Sequence, residues 1–392
     1  MDPRQCPVCG TLNTTDLIDI VEMPIYCNRL WDSRDKALAA PKGRIRLRAC
    51  KKCGHVFNSA FDPSLLDYDQ QYENSLHFSS RFQRYAKQLA QRLVQDYDLH
   101  DKDVIDIGCG KGDFLALLCE LGQNRGLGFD PSYENNRVNH NAASRFTVIN
   151  DYFSERYHHY PADLICCRHV LEHIQHPQAF LQSVRRTIGK RLGCIVFFEV
   201  PDVFYTVKDM GIWDLIYEHC GYFSMMSLFH LFRACGFDVL DLQSSFQGQF
   251  LCIDAKPDVA AGIAADPGDE EMMDFHEYTC AFTNKYQEKI NYWETELGFL
   301  GQNSRKTVIW GGGSKGVTFL NVLKNSKYVE YVVDINPHKQ GRFVPGTGQK
   351  IVPPEFLADF QPEAILIMNA NYLEEIKNRT EQLNITPTFM AV

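Results

Sequence analysis

A chain of 392 residues exceeds one ordinary small domain and predicts two or three. Its 40 Lys and Arg stand against 49 Asp and Glu, and the formal charge of −9 disfavours broad binding to a phosphate backbone, so no nucleic-acid partner is expected. No apolar run reaches the length of a membrane span, so no membrane partner is expected either.

The first residues, Met1-Asp2-Pro3-Arg4-Gln5-Cys6, lack the basic and apolar leader of a secretory signal. Of the 14 cysteines, many lie singly in apolar runs, as Cys194 and Cys252 do. That usage suits buried thiols in a reducing compartment, and the cytoplasm is the expected location. Four cysteines differ. Cys6-Pro7-Val8-Cys9-Gly10 and Cys50-Lys51-Lys52-Cys53-Gly54 are two matching knuckles. Each can put two thiolates on one metal, with glycine permitting the tight turn, and together they predict a closed, structural Zn2+ site. Cys27 and His55 are the alternative ligands, although His55 lies so close to Cys53 that shielding the site suits it better.

Arg44-Ile45-Arg46-Leu47-Arg48 alternates and predicts a strand with one charged, solvent-facing side. A polar, tyrosine-rich join containing Tyr68 and Tyr72 follows, and then a helix is expected over 80–97.

Residues 104–107 form an apolar run that carries Asp106 and passes into Gly108, Gly110 and Gly112. Phe114, Leu117, Leu118 and Leu121 then recur on one helical face. This is strand, glycine turn, helix. Such a turn lets a ligand approach the backbone, and the helix start offers N–H groups. A second run ends in Asp130, whose carboxylate can hold a pair of ribose hydroxyls. A nicotinamide cofactor could use the same features, but a dinucleotide site more often has glycine where Asp106 stands. The next strand, 146–149, leads to Asp151 and Tyr152. Asp151 can accept an adenine amino proton and Tyr152 or Phe153 can cover the ring, or the stretch is simply an acidic turn. Residues 162–167 predict a further strand that runs into Arg168-His169-Val170-Leu171-Glu172-His173, and residues 194–201 predict a buried strand ending at Glu199.

Residues 213–224 crowd Tyr217, Glu218, His219 and Tyr222 beside apolar side chains. The stretch is rich in proton-transfer groups and equally able to form a structural hydrogen-bond cluster. Asp258 opens an acidic boundary, and a long helix is expected over 275–297 because Phe282, Tyr286, Ile290 and Trp293 recur at helical spacing. A second strand, glycine turn and helix follow at 307–316, with Lys315 at the turn, and another strand ends in Asp334-Ile335-Asn336-Pro337.

The Asp106, Gly108, Gly110, Gly112 pattern resembles the first motif of the class I methyltransferases, and His169-Val170-Leu171-Glu172-His173 resembles their fourth. The resemblance implies S-adenosylmethionine as methyl donor, with Asp106, Gly108, Gly110, Asp130, Asp151, Tyr152, Arg168 and His169 lining its site. Residues 236–253 resemble the closing hairpin of that sheet and bring Gln249 toward substrate. Almost the whole chain is similar to the sugar C-methyltransferases. The likeness includes a Pro-x-x-x-Asn segment at Pro24 to Asn28, Glu218-His219 before Tyr222-Phe223-Ser224, and Gly-x-x-x-Lys-Gly before Asp-x-Asn-Pro in the last third.

That likeness implies a nucleotide-linked keto sugar as small-molecule substrate, with no redox cofactor. His219 is matched to the proton acceptor and Glu218 to its assistant. Tyr222 or Tyr217 would stabilise an enolate, although only Tyr217 stands where the family has a Tyr-His pair. Tyr68 and Tyr72 would belong to a lid, and Glu199, Gln249, Lys315, Asn336 and Lys339 would meet substrate. The expected fold is α/β: a central seven-stranded class I methyltransferase sheet, a small N-terminal zinc domain and a C-terminal Rossmann-like domain. The boundaries expected are 1–66 for the zinc-binding domain, 67–100 for a helical join and active-site lid, 101–258 for the methyltransferase domain, 259–300 for a helical connector and 301–392 for the Rossmann-like domain. O- or N-methylation of another metabolite and donor binding without catalysis are the alternative functions. Oligomeric state has no signature in the sequence.

Overall fold

The computed structural model describes residues 2–66, 72–134, 145–258 and 268–392, apart from the side chain of Asp269. Tyr68 lies outside the described residues. In chain order the strands begin with β1 (Thr14–Pro24), β2 (Lys42–Cys50) and β3 (Val56–Asn58). Next come β4 (Asp103–Ile107), β5 (Arg125–Phe129), β6 (Phe146–Ile149), β7 (Leu164–Arg168), β8 (Ile195–Pro201), β9 (Gly221–Tyr222), β10 (Phe237–Ser245) and β11 (Phe250–Pro257). The last third adds β12 (Thr307–Trp310), β13 (Tyr331–Val333), β14 (Lys350–Val352), β15 (Ala364–Ile367) and β16 (Thr388–Ala391).

The central sheet has seven strands in the order β10-β11-β8-β7-β4-β5-β6. Strands β8 to β6 pair in parallel, while β11 runs antiparallel to β8 and to β10. The sequence reason is visible in its middle strands. Cys166 and Phe197 join one buried cluster with the helices Ser80–Asp96 and Asp113–Gly122. Their neighbours Cys167 and Phe198 join another with Pro177–Ile188 and Met225–Ala234. Successive side chains therefore enter helical layers on opposite faces, as a parallel sheet covered on both sides requires. The C-terminal sheet, β14-β13-β12-β15-β16, is wholly parallel and resembles a Rossmann fold.

The N-terminal sheet is antiparallel, in the order β1-β2-β3-β9. Ile45 and Leu47 of β2 are buried, and the three arginines between and beside them point outward. Asp19 pairs with Arg44, and Asp16 with Arg46 and Arg48, so β1 neutralises this basic face. The fourth strand comes from far away in the chain: Tyr222 pairs with Val56 and Gly221 with Phe57. The segment just after His219 is thus built into the N-terminal sheet.

The long helix runs over Asp269–Gln302, further at both ends than 275–297. Acids at its first turn suit the positive end of the helix dipole, and the residues from Gly298 to Gln302 contain no proline to stop it. Phe275, Phe282, Trp293 and Leu297 share one core with Ile45 and Leu47 of β2 and with Phe319 and Leu320 of the helix Ser314–Val322. The helix therefore ties the N-terminal sheet to the C-terminal one. Among the described residues, no helix is long and apolar enough to cross a membrane.

Candidate active site

The four knuckle cysteines converge. Cys6 and Cys53 place their Sγ atoms 3.7 Å apart, Cys9 and Cys50 3.5 Å apart, and all four lie within 4.8 Å of one another. Thiolates at tetrahedral Zn–S distance stand about 3.8 Å apart. The four cysteines thus fit a structural Zn2+ that would brace the sheet and take no part in chemistry. Gly10 and Gly54 both have φ +71, which the two turns require. Cys27 and His55 do not join the cluster. The His55 ring packs 4.7 Å from Phe223, and the backbone of Cys27 faces Glu218.

At the ends of β4 and β5 the glycine turn takes its expected form. Gly108, Gly110 and Gly112 all have positive φ. A Cβ on Gly108 would stand 2.2 Å from Val170 Cγ2, so this glycine lets the turn lie against the residue after His169. A Cβ on Gly110 would meet nothing within 4 Å, which leaves an open cradle beside the backbone. The donor set fits S-adenosylmethionine: an open glycine turn, a strand-end carboxylate and a helix start. Asp130 already has work within the protein. Its Oδ2 accepts the Gly110 N–H at 2.8 Å, and its Oδ1 accepts the Ser132 N–H at 2.8 Å. The C-terminal sheet repeats the device, with Asp334 accepting from Gly312 and Asn336, each at 2.8 Å. Asp106 is buried beneath the turn, and burial pushes its carboxyl up to about 7 against the pull of Arg168. Asp151 is held by Tyr157 and Arg156, so an adenine would have to share it, while Tyr152 stands exposed beside it.

Glu199 does not face the pocket, contrary to the sequence expectation. It is fully buried and paired with Arg168 at 2.6 Å, with His169 Nε2 3.4 Å away and the Tyr85 hydroxyl bonded to it. An unpaired carboxylate on a central strand would carry too large a desolvation cost, so its neighbours close around it. Burial opposes its ionisation, yet Arg168 and His169 hold it down to about 2. Burial likewise opposes charge on His169, but Glu199 and Glu172 raise it to about 9. Arg168 stacks 4.0 Å from the centre of the Phe114 ring. His169 has φ 55, an uncommon conformation outside glycine, and it reaches the cavity.

That cavity, of about 860 Å³, lies between the central and C-terminal sheets. Tyr72, His169, Gln249, Lys315, Asn336 and Lys339 line it, and so does His219. His219 Nδ1 is buried with no hydrogen-bond partner among the described residues. Leaving such an atom unpaired costs about 1–3 kcal/mol, which marks a surface awaiting a ligand. Burial, then His173, His169 and Lys315, hold the imidazole well below its ordinary value, so it is neutral near pH 7. Glu218 is buried beside it. One carboxylate oxygen accepts the Cys27 N–H at 2.9 Å, Tyr72 bonds to the same carboxylate, and burial raises the acid above its usual range.

The two phenols are placed differently from expectation. Tyr217 is turned away from the cavity. Its hydroxyl accepts the Asp62 N–H at 2.9 Å and donates to the Asp62 carbonyl at 3.2 Å, while its ring packs on Phe61. Tyr222 is buried, donates to the Ile216 carbonyl at 3.4 Å, and stands with its ring 5.8 Å from His219. Burial keeps its phenol protonated.

Four residues that hold the wall side chains in place, Asp214, Asn28, Glu73 and Asn369, had no role in the sequence reading. Lys315 is paired with Asp214 at 3.0 Å, and Lys339 donates to Asn28 at 3.1 Å. Asn336 donates to Glu73 at 3.0 Å, and Gln249 to Asn369 at 2.9 Å. Asn28 lies in the Pro-x-x-x-Asn segment and Glu73 next to Tyr72, which are the nearest local signals. Glu172 and His173 also face the cavity. Their motif was legible, but their direction was not.

Two stretches of the chain match known families. Residues 78–242 match a family described as methyltransferase domain, and residues 254–388 match one described as C-methyltransferase C-terminal domain. The C-methyltransferase NovU of Streptomyces niveus is 25% identical over 390 residues, covering 95% of this chain and 91% of that protein. Among solved structures, the N,N-8-amino-8-demethyl-D-riboflavin dimethyltransferase RosA of Streptomyces davawensis aligns with TM-score 0.34 and 16% identity, over 45% of this chain and 56% of that one. The 1,6-didemethyltoxoflavin-N1-methyltransferase of Burkholderia thailandensis aligns with TM-score 0.35 and 15% identity, over 46% and 81%. With its seven-stranded sheet, glycine turn, four-cysteine cluster and two matched regions, the chain has the class I S-adenosylmethionine-dependent methyltransferase fold and is homologous to the C-methyltransferase NovU.

Proposed function

We propose that this protein methylates a carbon of a nucleotide-linked keto sugar. The observation that carries the reading is the neutral His219 imidazole, with an unpartnered nitrogen, on the wall of a cavity shared by the donor sheet and the C-terminal sheet. A relative named as a C-methyltransferase over nearly the full length supports carbon as the acceptor. The resemblance of the whole chain to the sugar enzymes supports the substrate class.

In this reading His219 removes a proton from the carbon beside the keto group, and Glu218, anchored by Cys27 and Tyr72, orients the loop that carries it. S-adenosylmethionine supplies an electrophilic methyl group when bound. The walls hold the sugar and donor together and shield the enolate from water. Lys315, Asn336, Lys339 and Gln249 bind the nucleotide end. Tyr72 closes the N-terminal side, and Tyr222 takes the enolate oxygen only if its bond to Ile216 gives way. The Cys6, Cys9, Cys50 and Cys53 zinc site holds β3 against β9. A cytoplasmic location suits the free thiols.

The test is incubation with a nucleotide-sugar library and isotopically labelled methyl donor, with mass and carbon-position analysis. Label on carbon is expected. Label only on oxygen or nitrogen would reject carbon methylation while preserving the donor site, and donor binding without transfer to any substrate would reject catalysis.

A further inference from the structure

Beside the base lie two side chains, Glu172 and His173, that the proposed proton transfer does not use. Glu172 and His173 sit on the short turn after β7, and His219 stands just before β9. One ligand atom from each of the three lies within 4.8 Å of the others. Glu172 Oε2 and His219 Nδ1 are buried with no hydrogen-bond partner among the described residues. His173 Nδ1 lies 3.0 Å from the Glu218 carbonyl oxygen. A carbonyl can only accept, so that nitrogen carries a proton and Nε2 is the atom by which the ring would bind a metal. Imidazoles that bind metals are oriented by this kind of backbone contact.

We propose that Glu172, His173 and His219 form a second metal site, open to the cavity, for a divalent transition ion such as zinc, cobalt or nickel. Two imidazoles and one carboxylate match those ions and not the oxygen-rich sets of calcium or magnesium. Ligand atoms around a zinc-sized ion stand about 3.3 Å apart, so the side chains need close by no more than about 1.5 Å. Three protein ligands leave a coordination position facing the cavity. The site is distinct from the four cysteines, which hold their metal through sulfur alone. An ion here takes the His219 lone pair, and metal occupancy and proton abstraction exclude each other. This inhibitory consequence rests on the reading of His219 as base; the binding site itself does not.

The experiment adds cobalt(II) to the zinc-loaded protein. One further ion per chain is expected, with visible d–d bands, no thiolate charge-transfer band, and only nitrogen and oxygen neighbours in cobalt-edge X-ray absorption. Glu172→Gln and His173→Gln should each weaken cobalt binding by at least about tenfold while the structural zinc is retained. No cobalt bound at millimolar concentration, a sulfur shell, or unchanged affinity in both variants overturns the site. If a variant does not fold, the absorption spectrum of the parent protein decides, since a shell without imidazole also overturns it. Hydrogen exchange at the substrate carbon is read separately. Exchange that cobalt suppresses is expected. Cobalt bound with no exchange even in its absence rejects His219 as base and leaves the metal site standing.

Discussion

Glu218 accepts a hydrogen bond from the backbone N–H of Cys27 at 2.9 Å, across 191 residues of chain. With the pairing of β3 and β9, this bond makes the zinc-binding sheet a support for the loop that carries His219. The N-terminal region thereby contacts the segment on both sides of His219.

Cys50→Ser should release zinc and destabilise the N-terminal sheet. Because β9 belongs to that sheet, methyl transfer should fall with it although no cysteine touches substrate. Metal analysis alongside a methylation assay checks both effects. Full zinc retention would remove Cys50 from the ligand set, and full activity after zinc loss would break the proposed coupling.

Asp130→Ala should lower donor affinity, since the carboxylate holds the N–H of Gly110 in the open glycine turn. Hydrogen bonds to a charged group contribute about 1.5–3 kcal/mol each, so a loss of at least about tenfold is expected. Calorimetric titration with the methyl donor, checked by circular dichroism, measures it. Unchanged affinity in folded protein would refute the assignment.

Asp106 predicts a pH effect on stability. Its carboxyl is raised from 3.8 to about 7 by burial, so between those values the folded state holds a proton that the unfolded chain releases. Stability contributed at this site is therefore present below pH 3.8 and lost as pH rises toward about 7, by up to about 4 kcal/mol. Asp106→Asn should be more stable than the parent above pH 7, with the difference shrinking on acidification. Denaturant titrations at several pH values test this. A constant difference would show that Asp106 does not titrate in that window.

His219→Ala should leave both ligands able to bind and slow carbon methylation by about 10²–10⁴-fold, the usual range for a general base. Because the imidazole is held well below 6.5, its acid limb in kcat/KM should lie below pH 6.5. An unchanged single-turnover rate in the variant would reject His219 as the base.

Lys315→Ala should weaken nucleotide-sugar binding more than donor binding, because Lys315 lines the cavity at the C-terminal glycine turn. It also leaves Asp214 without its cation, which adds repulsion toward a phosphate. Separate titrations with each ligand decide. Equal substrate affinity in parent and variant would take Lys315 out of the site.

Features that are local in the chain were legible in the sequence. The knuckles need only two thiols and a glycine. The glycine turns need an apolar run, a turn and a helix, and Asp130 and Asp334 stand at strand ends in both units. The alternation of β2 and the helical spacing of Phe282 and Trp293 are likewise short-range patterns, so only the helix ends were misjudged.

Direction and long-range partnership came from the tertiary structure alone. Tyr217 and His219 are two residues apart in one crowded stretch, yet one points to the Asp62 backbone and the other to the cavity. Glu199 lies two residues before the end of β8 and is closed off by Arg168 and His169. The contacts that weld the cavity wall, Asn28 with Lys339 and Glu73 with Asn336, span 311 and 263 residues. Hydrophobic period and turn chemistry report what a segment does with its own neighbours. They carry nothing about which distant carboxylate will satisfy a buried cation, because that choice is made by packing, where desolvation makes any unpaired charge too costly to keep.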